Sequence, residues 1–209
     1  MKKLLSSIFF WGIILFWLVG LIIVLNSNQM EFHKKLNGFN NHFLDAFVPY
    51  ATHIGDGVFA ILLVVIFYFI NKKNALILLL SFLISSGITQ VLKQVVYPNI
   101  MRPMHYFQND DSFHVVKGVV IHFQNSFPSG HATTCFALFT TFALFWWENQ
   151  KLQVAFLIAA ILFALTRVYL SQHFFEDVLA GSFVGTVTAF IMGVYFPKLH
   201  FVEKLEQSK

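Results

Sequence analysis

The run Ser126-Phe127-Pro128-Ser129-Gly130-His131 stands immediately before the apolar stretch Ala132 to Trp147. These residue types suit an anion and a moving proton. Pro and Gly punctuate the backbone, and Gly lets main-chain N–H groups come close to a ligand. A helix starting here would aim free N–H groups and its positive dipole end at an anion. Imidazole exchanges its proton near neutral pH. A helix cap would account for Ser129, but not for a histidine at the start of an apolar helix.

Two further segments carry matching chemistry. In Lys93-Gln94-Val95-Val96-Tyr97-Pro98-Asn99-Ile100-Met101-Arg102-Pro103, two cations flank a turn. They read either as snorkelling side chains at a helix end or as phosphate donors, with arginine supplying a planar fork. In Thr166-Arg167-Val168-Tyr169-Leu170-Ser171-Gln172-His173-Phe174-Phe175-Glu176-Asp177, His173 and Asp177 are four apart and would share a helical face. A carboxylate on one imidazole nitrogen frees the other as nucleophile or base. An exposed His–Asp pair is commonplace and weak. Arg167 at membrane depth argues for more, because a lone charge there is costly.

The elements that must bring these segments together are apolar. The chain has 209 residues, 57% hydrophobic and 11% charged, against about 25% charged for a soluble domain. Its mean hydropathy is +0.67. Six stretches approach or reach the ~17–25 residues that span a bilayer: Ser7–Leu25, Ile54–Ile70, Ala75–Leu92, Ala132–Trp147, Val154–Leu170 and Val178–Phe196. The expectation is an all-α polytopic membrane protein, a single domain over residues 1–209 with six transmembrane helices. The short stretch at Ala132 predicts a helix that begins inside the Pro-Ser-Gly-His cluster. The first stretch reads as a retained helix, since Asn26-Ser27-Asn28 is a poor cleavage site.

Basic residues set the orientation. With both termini cytoplasmic, Lys2, Lys3, Lys72, Lys73, Lys151, Lys198, Lys204 and Lys209 fall inside, as the positive-inside rule requires. Both arginines and eight of nine histidines then fall outside, an excess that calls for a function on that face. Between Asn26 and His53, Phe32, Leu36, Phe39, Phe43, Leu44 and Phe47 alternate with polar residues, a pattern suited to the bilayer surface. The net charge of +4 goes with this topology and not with nucleic acid. Cys135, the single cysteine, reads as a small buried hydrophobe.

Taken together, the three segments resemble the signature of the type 2 phosphatidic acid phosphatase family, membrane phosphatases acting on lipid phosphates. Residues 128–131 match its Pro-Ser-Gly-His motif in full. Arg167, His173 and Asp177 match its third motif, with Thr166 replacing a serine. In the first motif eight residues separate Lys93 from Arg102 where the family usually has six, so two residues must be absorbed by a bulge. The resemblance implies that His173 attacks phosphorus while Asp177 orients it. It implies that His131 protonates the leaving oxygen and then activates water. Lys93, Arg102, Arg167, Ser129 and Gly130 would hold the phosphate oxygens. It implies no metal and no other cofactor, since three cations can neutralise the transferring group.

Spacing alone leaves the roles of the two histidines open; the Asp partner favours His173 as nucleophile. A zinc site drawn from His105, His114, His122, His131 and His173 is the competing reading, without tight ligand spacing to support it. His53 and Asp56 could line the pocket or simply form a loop and helix cap; His105 and Tyr106 could touch a headgroup or belong to an interfacial belt. The expected partner is a lipid phosphate in the outer leaflet of a bacterial inner membrane: undecaprenyl diphosphate, phosphatidylglycerol phosphate, phosphatidic acid or lipid A. Rival readings are a lipid phosphotransferase and a non-catalytic lipid-binding or transport protein.

Overall fold

The structure is a computed structural model and describes residues 7–196. The termini, with Lys2, Lys3, Lys198, His200, Lys204 and Lys209 of the orientation reading, lie outside the described residues. Among the described residues all regular elements are helical. In chain order they are α1 (Ile8–Asn26), α2 (Gln29–Asn37), α3 (His42–Ala51), a 3-10 turn (Thr52–Gly55), α4 (Gly57–Ile70) and α5 (Lys72–Val91). A π-helical turn (Leu92–Val96) extends α5; then come α6 (Pro103–Phe107), α7 (Gly130–Phe145), α8 (Gln150–Tyr169) and α9 (Phe175–Tyr195).

Local chemistry explains where these helices begin. Side-chain caps from Ser7, Asn28, Asn41, Asn71, Ser129 and Asn149 accept first-turn N–H groups of α1, α2, α3, α5, α7 and α8. The caps of α5, α7 and α8 lie outside the apolar runs, so these helices start earlier than hydropathy alone predicts. Helix α7 does begin inside the Pro-Ser-Gly-His cluster, at Gly130.

Among the described residues four helices are long and apolar enough to cross a membrane: α1, α5 with its π-helical turn, α8 and α9. The pair α3 and α4, long and apolar enough together, is bent by 57° across Asp56. The stretch expected as one helix over Ile54–Ile70 is therefore the second limb of a bend, with its first residues in the 3-10 turn. Helix α7, at 16 residues, falls short of a full crossing and lies at the centre, with ten of its residues buried. The segment expected on the bilayer surface divides in two. Helix α3 exposes Phe43 and Phe47 as a stacked pair, whereas α2 buries His33 against Phe107, Phe113 and Phe174.

The interior is built as in other membrane bundles, from small residues and hydroxyls. Ser81, Ser85, Thr89, Thr133, Thr140 and Ser182 are buried, and Thr89 Oγ1 lies 3.0 Å from Thr133 Oγ1. Closest approach is between α7 and α9. A Cβ at Gly181 would come within 2.4 Å of the Ser129 carbonyl oxygen, and one at Gly185 within 2.2 Å of that of Thr133. These glycines, one turn apart, bring the start of α7 against the start of α9.

Candidate active site

His173 and Asp177 enter the site from the junction of α8 and α9. Helix α8 ends in a Schellman arrangement: the Gln172 N–H donates to the Arg167 carbonyl at 2.9 Å, and the Ser171 N–H to that of Val168 at 3.0 Å. Ser171 takes the left-handed conformation usually left to glycine, φ +52°. The His173 N–H also donates to the Arg167 carbonyl, at 3.2 Å. The backbone thus ties Arg167 and His173 to one point. Helix α9 is capped from within, its Asp177 carboxylate accepting the Phe174 N–H at 2.9 Å.

That same oxygen, Asp177 Oδ2, lies 3.3 Å from His173 Nδ1 and accepts the Ser126 hydroxyl at 2.5 Å. His173 and Asp177 are 2% and 1% exposed. With Nδ1 facing Asp177 and Ser126, Nε2 is the ring nitrogen left for chemistry. Burial pushes the proton affinity of His173 well below the ordinary imidazole range, and Arg102, Arg167 and Lys93 push it the same way. A neutral imidazole with an open Nε2 is a nucleophile.

The cations surround this dyad. Arg167 is buried, donates through a terminal nitrogen to Thr52 Oγ1 at 3.1 Å, and leaves its Nε without a partner. Arg102 is clamped by carbonyls, donating to Gln124 at 2.8 Å, Gln172 at 3.0 Å and Asn125 at 3.3 Å. Lys93 sits in the π-helical turn, close enough to feel Arg102, Asp177 and Arg167. That turn, closed by the Tyr97 N–H on the Leu92 carbonyl at 2.7 Å, together with a left-handed Asn99 (φ +64°), takes up the extra residues between Lys93 and Arg102. Ser129 caps α7 and donates its N–H to the Asp177 carbonyl at 2.9 Å, so the second and third motifs are hydrogen-bonded to each other.

His131, in the first turn of α7, points its Nε2 at Asp56 Oδ1, 2.6 Å away. The other Asp56 oxygen holds His53 Nδ1 at 2.5 Å. Asp56 occupies the cap position of α4 without capping it, so its carboxylate is spent wholly on two histidines. His131 and His173 are near enough to influence each other electrostatically.

Of the remaining histidines, His122 lies near enough to Arg102 and Arg167 to feel both charges. His114 Nε2 lies 2.9 Å from Asp45 Oδ1, which also accepts the Tyr169 hydroxyl at 2.6 Å. His105 packs edge-on against Tyr106. Among the described residues no group of three or more His, Cys, Asp or Glu is placed to hold a metal. Ser126 and Gln172 lie within segments singled out from sequence but carried no expected role; Thr52 had no sequence signal at all. A groove of about 520 Å³ opens beside the site between α1, α5 and α9, lined by Trp17, Leu21, Leu92, Tyr97, Phe127 and Leu179.

A sequence profile described as the PAP2 superfamily matches residues 74–201. A lipid A 1-phosphatase of Rhizobium johnstonii is 38% identical over 80 residues, 38% of this chain and 32% of that protein. The similarity thus spans about a third of the length of this relative. The undecaprenyl-diphosphatase BcrC of Bacillus subtilis is 25% identical over 77% of this chain and 80% of its own length. Among solved structures, Aquifex aeolicus LpxE superposes with a TM-score of 0.70 at 21% identity, over 81% of this chain and 96% of that one. A transmembrane PAP2-type phosphatidylglycerolphosphate phosphatase from Bacillus subtilis gives 0.67 at 24% identity, over 95% and 98%. These likenesses show the fold.

Proposed function

The chain belongs to the PAP2 superfamily, and on that premise we propose that it is a membrane lipid phosphatase working through a phosphohistidine. The observation that carries the reading is the buried His173–Asp177 dyad, with Nδ1 occupied and Nε2 open, set among Arg167, Arg102 and Lys93. Nε2 of His173 attacks phosphorus, the P–O bond to the lipid breaks, and His131 gives the leaving oxygen its proton. Water then attacks the phosphohistidine, losing its proton to His131 as the P–N bond breaks. The guanidinium and ammonium groups, with Ser129 and the Gly130 N–H, hold the three equatorial oxygens, where positioning and charge do most of the work.

Lipid is favoured over a soluble ester by the apolar groove, which begins at Phe127 and Pro128 and runs along membrane-facing helices. Relatives named for lipid A, undecaprenyl diphosphate and phosphatidylglycerophosphate define the substrates to test. We place six passages in the membrane, counting α7 and the bent α3–α4 pair, both termini in the cytoplasm, and the site at the outer leaflet of a bacterial inner membrane. The test is phosphate release in detergent from undecaprenyl diphosphate, phosphatidylglycerol phosphate, phosphatidic acid and lipid A, with His131→Ala as blank. Release from at least one lipid supports the proposal; none from any overturns it.

A further inference from the structure

We propose that Asp56 is the positioning residue of His131: it holds Nε2, so that Nδ1 is the nitrogen that serves the leaving oxygen and the attacking water. This rests on the phosphatase reading and adds to it a second His–carboxylate pair.

Four observations carry it. The Asp56 Oδ1 to His131 Nε2 separation is 2.6 Å, the length of a charge-assisted hydrogen bond. Asp56 stands at a cap position but gives its side chain no capping bond, so helix initiation does not explain the residue. The backbone beside it is pressed onto His131: a Cβ on Gly55 would come within 3.0 Å of His131 Cβ and 3.1 Å of its carbonyl oxygen. The turn Thr52–Gly55 is tied to the site by Thr52, which accepts from Arg167 at 3.1 Å and from the Thr166 hydroxyl at 3.2 Å. The 57° break at Asp56 thus places a carboxylate on the second histidine.

The need for it is electrostatic. His131 must be an imidazolium to act as acid, and a carboxylate on Nε2 favours that form. In the first step His131 carries protons on both nitrogens; the Nδ1 proton passes to the leaving oxygen as its bond to phosphorus breaks, and the other proton stays on Nε2, donated to Asp56. In the second step Nδ1 takes a proton from water as the oxygen bonds to phosphorus and the P–N electron pair returns to His173. His53, bound to the other carboxylate oxygen and largely exposed, fixes the carboxylate from the solvent side.

The experiment is a double-mutant cycle with phenyl phosphate and p-nitrophenyl phosphate as well as the best lipid. Asp56→Asn should lower kcat on the lipid and on phenyl phosphate on the order of 10- to 100-fold, with KM nearly unchanged. The loss should shrink on p-nitrophenyl phosphate, whose leaving oxygen needs no proton. In a His131→Ala background the same change should cost less than about twofold, because its effect runs through that ring. Equal losses on the two aryl esters, equal losses in the two backgrounds, or no loss at all would overturn the proposal. Should Asp56→Asn lower the thermal midpoint in detergent, Asp56→Glu repeats the cycle with the charge kept: recovery of the wild-type leaving-group dependence supports it, and its absence in a stable variant overturns it. Wild-type protein inactive on every lipid would instead defeat the phosphatase reading itself.

Discussion

The two histidines of the site are held in opposite ways. His173 and its partner Asp177 are 2% and 1% exposed, and the ring is fixed by a helix C-terminus, a helix N-terminus and Ser126. His131 and Asp56 are 27% and 33% exposed, on a helix start and a bend that opens outward. The contrast matches the tasks proposed for them. A nucleophile gains from a dry pocket that keeps it neutral and aimed. An acid that later deprotonates water must be reachable by water. One fold supplies both because α7 and α9 meet at Gly181 and Gly185 with their N-termini side by side.

The largest effect should come from the inner pair. His173→Ala should reduce phosphate release to background and leave no phosphoenzyme, measured with radiolabelled lipid. His131→Ala should cost about 10²- to 10⁴-fold on the lipid, yet accumulate phosphoenzyme from p-nitrophenyl phosphate, since breakdown then lacks its base. Accumulation in neither variant would erase the distinction between the two rings.

Next comes the scaffold between them. Gly181→Ala puts a Cβ against the Ser129 carbonyl at 2.4 Å and should lower both the thermal midpoint and activity. Gly130→Ala has nothing within 4 Å of the new Cβ. It should keep the midpoint and raise KM, because the proposed cradle sets phosphate oxygens in that open volume. A Gly130→Ala protein with wild-type KM would remove that residue from the phosphate cradle.

The pH profile separates the pairs more finely. Burial and three cations lower the proton affinity of His173, so its neutral form persists as pH falls through the ordinary value of about 6.5. In His131→Gln, kcat/KM should therefore stay level from pH 8 to below 6.5; a decline centred at or above that value would show an ordinary, solvated nucleophile. Smallest of all, Ser126→Ala removes one hydrogen bond from Asp177 and should cost about tenfold in kcat, about 1.4 kcal/mol.

Much of the inner pair was legible in sequence, because Arg167, His173 and Asp177 lie within one short segment; the expected shared helical face is not what joins them, since His173 lies in the turn between α8 and α9. The same holds for Pro128 to His131, whose placement at a helix start follows from the apolar run behind it. The outer pair was legible in part: His131 stood out, while Asp56 read equally as a pocket residue or as a cap for α4, and only the bend and the docking of Gly55 on α7 turn its carboxylate to His131. The π-helical turn that carries Lys93 was foreshadowed by the spacing, though not its form. Gly181 and Gly185 passed unnoticed because two small residues among apolar ones show no chemistry until the backbone they face is known. The passages were legible as apolar runs, but polar caps moved their starts and the break at Asp56 split one of them.

Rapid quenching of wild-type protein turning over a labelled lipid phosphate, followed by mass-spectrometric mapping, tests the central claim most directly. The label should be found on the His173 ring. Label on His131, or steady turnover with no phosphorylated histidine at any time, would contradict it.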